Sequence, residues 1–402
     1  MTMAYNFKTF KSRRNTGSSK WGAMVQSNPS LPTDIIPLSV ADMEFEVAPE
    51  IINGIKKRLT DNAILGYERP TDDYYTAIIN WMSKIHNWQI QKDWIIPTGS
   101  VVPALVTAIQ AFTNFEDKIL IMTPVYYPFY DVINFTHRQV VDTPLTFDGE
   151  NYQINFADFE KKAANSNVKM LILCSPHNPV GRVWKKAELE KIAKICLAND
   201  VLVVSDEIHA DLLMPGYTHI PYATISEEAA NNSVICTAPS KTFNLAGMKA
   251  ANTIIKNSYL RRLFNDQQNR RGDGGMPVNI LGQLSVQLAY SKGETWYHEM
   301  LTVIDDNRQY IEKYIKENIP EIKVLPLQGT YLQWWDCSGL GFQNEVELGN
   351  FMKEKALLFL DDGYLFGDIS KQFERINIAC PRNVLEKAMY RLNRAVQDLR
   401  NS

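Results

Sequence analysis

One stretch of this chain constrains its fold more than any other. Between residues 168 and 238 lie three almost wholly apolar runs, VKMLILC, VLVV and SVICTA. The segment between the first two begins at Lys185 and reads KKAELEKIAKICLAND. In it Leu189, Ile192, Ala193, Cys196 and Leu197 recur at helical spacing and predict one apolar helix face. A run that is apolar at every position buries both of its faces, as a strand does in a parallel sheet covered by crossover helices. Strand, amphipathic helix, strand is a βαβ unit. KILIM at 118–122 adds a further strand upstream. The stretch from about 95 to 255 therefore reads as α/β with a mostly parallel sheet.

The last third is built differently. Residues 295–318 predict a long helix, KVLPLQGTYLQWWDC at 323–337 predicts paired strands, 346–360 mixes helix with strand, and 383–400 predicts a closing helix. Strands and helices in blocks suggest a smaller α+β domain. The first 48 residues read as irregular. The expected division is a large domain over 49–288 and a small domain combining 1–48 with 289–402.

Several classes of function are excluded by composition. Lys and Arg number 42 against 45 Asp and Glu, so no global charge marks a nucleic-acid or membrane-surface binder. No uncharged apolar run approaches the roughly 20 residues of a membrane helix. The N-terminal segment has no apolar core and does not read as a secretory signal. The five cysteines lie mostly in apolar runs and form no CxxC pair, so they read as reduced, buried thiols of a cytoplasmic protein. No His/Cys cluster has metal-ligand spacing, and none is expected.

Ligands of an open parallel sheet bind beyond the carboxyl ends of its strands. VKMLILC is followed by SPHNPVG with Asn178, VLVV by SDEIHADL with Asp206 and His209, and SVICTA by PSKTFNLAG with Lys241. An amide, a carboxylate and an amine thus converge on one edge. Upstream, Gly99 and Ser100 open the helix pattern VVPALVTAIQAF, and such a helix start suits a phosphate. A lysine for a Schiff base, a carboxylate for a pyridine nitrogen and a phosphate cradle together describe a pyridoxal 5′-phosphate site.

These motifs resemble those of the fold-type I pyridoxal phosphate enzymes. VADMEFEVAPEI, LGYERP, TPVYYPFY and RINIACPR are similar to the MalY/PatB branch, the cystathionine β-lyase-like C–S lyases of the class I/II aminotransferase superfamily, over about Trp21 to Arg382. The resemblance implies the aspartate aminotransferase-like fold and a set of roles. Lys241 carries the cofactor and moves the α-proton, Asp206 holds the pyridine nitrogen, and Asn178 and His209 bond the phenolic oxygen. Tyr126 stacks on the ring. The Ser100 and Val101 amides take the phosphate, with Ser240 and Lys249 nearby. Tyr67 reaches the phosphate of a second subunit, so a homodimer with interface sites is implied. Arg375 clamps the substrate carboxylate, and Asn178 also contacts the substrate. The chain departs from the commoner transaminase pattern at two positions, with Lys249 where many carry Arg and Ala238 where many carry Ser or Thr.

The implied reaction is β-elimination from cystathionine or a related cysteine S-conjugate to pyruvate, ammonia and a thiol, on the side of methionine biosynthesis. Transamination of neutral or aromatic amino acids is the alternative, and a regulatory role on the same fold a minor one. Blander readings stand beside these. Asp206 alone also suits a helix cap, His209 a core histidine, and Arg375 a structural ion pair. Glu44 and Glu46, alternating with Phe45 and Val47, read as the solvated face of a strand. RRGDGGMPVN at 270–279 reads as either a phosphate or subunit-contact loop or a surface turn. Trp334 and Trp335 fit a strand interior.

Overall fold

The computed structural model describes residues 3–270 and 276–401. Residues 271–275, the centre of the glycine-rich 270–279 loop, lie outside the described residues. Seven strands form the main sheet: β1 (Ile95–Thr98), β2 (Lys118–Ile121), β3 (Gln139–Asp142), β6 (Val168–Cys174), β7 (Leu202–Asp206), β8 (Ser233–Thr237) and β9 (Ala251–Ile254). A short hairpin, β4 (Thr146–Phe147) with β5 (Tyr152–Gln153), lies between β3 and β6 in the chain. The order across the sheet is β1-β9-β8-β7-β6-β2-β3, parallel except that β9 runs antiparallel to both of its neighbours.

The apolar runs do what their composition requires. Ile172, Val204, Val234 and Cys236 face one core with Ala104, Leu105 and Ile109 of the helix Val101–Phe112. Leu171, Leu173, Val203 and Ile235 face the other, with Leu189 and Ile192 of the helix Lys186–Ala198. Each such Val, Leu or Ile side chain contributes roughly 1.5–3 kcal/mol of hydrophobic stabilisation on burial. Leu197 departs from the expected apolar face and is 37% exposed, because the buried stripe of that helix runs through Ile195 and Cys196 instead.

A second, wholly antiparallel sheet has the order β10-β11-β13-β12, from β10 (Lys323–Val324), β11 (Leu332–Asp336), β12 (Asp361–Asp362) and β13 (Phe373–Asn377). Trp334 and Trp335 are buried within β11, as a strand interior demands. The long helix spans Glu294–Asn318 and the last helix Arg382–Arg400. Over 345–355 the chain forms a helix and then a π-helical turn, and the only strand nearby is β12. All five cysteines are buried and free. Among the described residues no helix is long and apolar enough to cross a membrane, and no group of three or more His, Cys, Asp or Glu is placed to hold a metal ion.

The first 48 residues are more ordered than their composition suggests. A helix spans Ser19–Ser27, and the segment after it is pinned by a charge cluster. Glu44 is 7% exposed and lies on no strand. It takes the Arg13 Nη2 at 2.5 Å, the buried Lys20 Nζ at 2.8 Å and the Trp21 Nε1 at 3.3 Å. Glu46 is solvated, with Lys11 as its surface partner, but it too lies on no strand, so the strand-face reading fails for both residues and the solvated part of it holds for Glu46 alone. A carboxylate with two cations and an indole donor is compensated well enough to be buried.

Candidate active site

The ends of β6, β7 and β8 meet at one edge of the main sheet. Cys174 pairs with Asp206, and Asp206 with Cys236, so the residues beyond each strand emerge side by side. Asp206 closes β7 and is 4% exposed. Its Oδ1 accepts from the Ile208 amide at 3.1 Å, and burial pushes its carboxyl up to about 7 against the pull of that bond and of Lys241. Lys241 lies in the short helix Pro239–Thr242 just past β8. Its Nζ donates to the Ala41 carbonyl at 2.6 Å. Burial draws the ammonium down to about 8, although Asp42 and Asp206 act to raise it. An amine so placed is still mostly protonated at pH 7 but gives up its proton far more readily than an ordinary lysine.

His209 is buried, and its Nδ1 has no hydrogen-bond partner. Burial first, then the charges of Lys241 and Arg375, hold its imidazole well below the ordinary range, so the ring is neutral and lies within reach of both cations. Asn178 is buried, and its Oδ1 accepts from Arg375 Nη1 at 2.8 Å, which leaves the amide to donate through Nδ2. Tyr126 lies just past β2. Burial raises its phenol to about 12, and Asp206 and Arg375 are both within electrostatic reach of it. Arg375, 2% exposed, lies in β13 of the other sheet, with its guanidinium 4.7 Å from the Phe366 ring centroid.

Ser100 stands at the N-cap of the helix Val101–Phe112, so the Val101 amide opens that helix without an intrahelical acceptor. A Cβ on Gly99 would come 3.2 Å from the Pro277 carbonyl, a close approach that explains the glycine. Ser240 is half-buried beside Lys241, and Lys249 is exposed in a left-handed conformation, φ +52. Tyr67 is not brought to this site. It is 96% exposed, in a segment without helix or strand that also exposes Ile64 and Leu65.

The residues fit pyridoxal phosphate. A buried carboxylate with only one amide donor wants a cationic N–H, an orphaned imidazole nitrogen wants a polar partner, and a helix start wants an anion. A profile described as aminotransferase class I and II matches residues 33–392. The chain belongs to that family. Its fold is the aspartate aminotransferase-like α/β fold, and its cofactor is pyridoxal 5′-phosphate. Cystathionine β-lyase PatB of Bacillus subtilis is 36% identical over 97% of this chain and 100% of that protein. Cystalysin of Treponema denticola, whose crystal structure contains pyridoxal 5′-phosphate, superposes with a TM-score of 0.96 at 44% identity, covering 99% of this chain and 100% of its own. The pyridoxal phosphate-bound C–S lyase of Staphylococcus hominis gives a TM-score of 0.87 at 31% identity over 98% and 99% of the two chains.

Four residues of the site have no local spacing in the sequence that marks their role. Ala41 offers its carbonyl to Lys241 and, at 3.0 Å, to the buried Tyr331 hydroxyl. Asp42 supplies negative charge toward Lys241, and Asp361 partners Arg375. These contacts join positions separated by 14 to 290 residues, and no local spacing marks them. The VADME motif marks the segment that holds Ala41 and Asp42 without saying which atom is used, and nothing comparable marks Tyr331 or Asp361.

Proposed function

We propose that this chain is a pyridoxal phosphate-dependent C–S lyase that cleaves cystathionine or related cysteine S-conjugates. The observation that carries this reading is the full-length likeness, at 31–44% identity, to three proteins named as PatB, cystalysin and a C–S lyase. In the overall reaction R–S–CH2–CH(NH3+)–COO− and water give pyruvate, ammonium and R–SH. The C–S bond breaks with its electron pair leaving on sulfur, and the α-proton is lost from carbon.

When bound, pyridoxal phosphate supplies an electron sink for the pair left by that proton. Every other task falls to the chain. Asp206 would hold the pyridine nitrogen, and a cationic N–H there would favour the carboxylate form of this side chain. Lys241 would hold the cofactor, and its free amine would take the α-proton at Nζ. An amine drawn down to about 8 is suited to act as a base near neutral pH. Asn178 Nδ2 and the His209 ring donate to the phenolic oxygen, and Tyr126 covers the ring. Ser100, Val101, Ser240 and Lys249 surround the phosphate. Arg375 takes the substrate α-carboxylate, a task that suits guanidinium geometry.

Tyr67 acts, in this reading, at the site of a second copy, and its near-complete exposure beside exposed Ile64 and Leu65 supports a homodimer. The chain divides into a large domain, 49–288, and a small one of 1–48 with 289–402. Transamination is the second reading, favoured by the family profile itself. The two separate in one experiment: holoenzyme with cystathionine and no keto acid. Pyruvate and free thiol in equal amounts support the lyase. Conversion only when 2-oxoglutarate or pyruvate is added, with no thiol, overturns it.

A further inference from the structure

Arg375 has five N–H donors. Its Nε and Nη2 both donate to Asp361 Oδ2, at 3.2 and 2.5 Å, and its Nη1 donates to Asn178 Oδ1 at 2.8 Å. One donor remains on each terminal nitrogen, the pair a carboxylate takes bidentately. Asp361 lies directly across from Arg375 in the β12–β13 pairing and is 8% exposed. The same Oδ2 accepts a third bond, at 2.9 Å, from the amide of Val40.

Val40 is a β-branched residue at φ +54, a conformation such residues rarely adopt. It is held there from two sides, by Asp361 at its amide and by Asn377 Nδ2, which donates to its carbonyl at 2.7 Å. The next residue, Ala41, takes the Lys241 ammonium. One carboxylate oxygen therefore orients the arginine and fixes the segment whose following carbonyl receives the lysine. Strain maintained this way, beside a site, is characteristic of functional geometry.

We propose that Asp361 is a positioning residue for substrate binding. It turns Arg375 so that one N–H of each terminal nitrogen faces the α-carboxylate, and it ties that attitude to the Val40–Ala41 segment. This rests on the reading of Arg375 as the carboxylate clamp. Asp361 touches neither substrate nor cofactor and acts through Arg375.

The test uses holoenzyme and two substrates, an S-substituted cysteine and its carboxamide, which lacks the anion. D361N should raise KM for the acid roughly tenfold, leave kcat within about threefold and leave KM for the carboxamide unchanged, since a hydrogen bond to a charged group is lost but no reacting atom is touched. D361E keeps the charge and displaces the oxygen by a methylene. It should give a smaller rise in the same direction, and it serves if D361N does not fold. Equal rises for both substrates, or none for either, overturn the proposal. R375K is measured alongside. If R375K leaves KM for the acid unchanged, the clamp reading itself fails. If R375K raises it while D361N and D361E do not, only the role of Asp361 fails.

Discussion

The edge of the main sheet and the seam between the N-terminal segment and the small sheet supply different parts of one site. At the sheet edge, three adjacent parallel strands end in register, and that alignment brings Asn178, Asp206 and Lys241 together. At the seam, Val40, Ala41 and Asp42 meet Asp361, Arg375 and Asn377 through contacts across roughly 300 residues of sequence. In the proposed reading the first region gathers the groups that hold a cofactor and move a proton, and the second those that grip a carboxylate. Damage at the edge should therefore appear in kcat, and damage at the seam in KM.

The largest effect is expected at Lys241. K241A should lower kcat by about a thousandfold or more, because a positioned acid–base group contributes on the order of 10²–10⁴. Steady-state turnover of an S-substituted cysteine measures it, and a loss confined to KM would erase the contrast between edge and seam. D206N should cost roughly a hundredfold or more in kcat while cofactor is still bound, since it removes a preorganised charge from the reacting system. Retained kcat in a variant with full cofactor absorbance would show that the β7 carboxylate is not the partner of the pyridine nitrogen.

A third prediction concerns cofactor-free protein. The Asp206 carboxyl titrates near 7 when folded, above its unfolded value near 3.8, so folding favours its protonated form. Below about pH 3.8 this group has no destabilising effect. Between about 3.8 and 7 the unfolded chain gives up the proton while the folded chain keeps it, so the fold is progressively destabilised, by up to about 4 kcal/mol, and the full penalty is present above 7. D206N should therefore stabilise the cofactor-free protein at pH 8 and change much less at or below about pH 4. Thermal or urea unfolding at the two pH values checks the sign, and equal effects at both would contradict it.

Much of the sheet edge was legible in the sequence because local rules govern it. Apolar runs become buried parallel strands, and the residues immediately beyond each run lie at the ligand-binding edge. Asp206, Asn178 and Lys241 could be placed together from spacing alone. The seam was not legible. Arg375 was visible only through resemblance, and Asp361 not at all, because their meeting depends on how β12 and β13 pair. Glu44 was misread for a related reason. Alternation in ADMEFEV suggests a strand face, but the distant Arg13 and Lys20 convert Glu44 into a buried ion-pair partner.

The seam can be probed on its own with a smaller effect. E44Q leaves Lys20 and Arg13 with a weaker acceptor in a buried cluster, and removing one partner of such a cluster costs about 3 kcal/mol. The loss should show as a lowered unfolding midpoint together with a raised KM, because the anchored segment also carries Ala41 and Asp42. A lowered midpoint with unchanged KM would mean that the cluster serves the fold alone.

The most direct test of the account asks where the cofactor is attached. Borohydride reduction of the holoenzyme fixes the lysine–cofactor bond, and digestion with mass spectrometry locates it. The convergence of β6, β7 and β8 predicts one label, on the peptide that carries Lys241, and none in K241A. A stable label on any other lysine, or stoichiometric labelling of K241A, would contradict the claim that these three strand ends build the cofactor site.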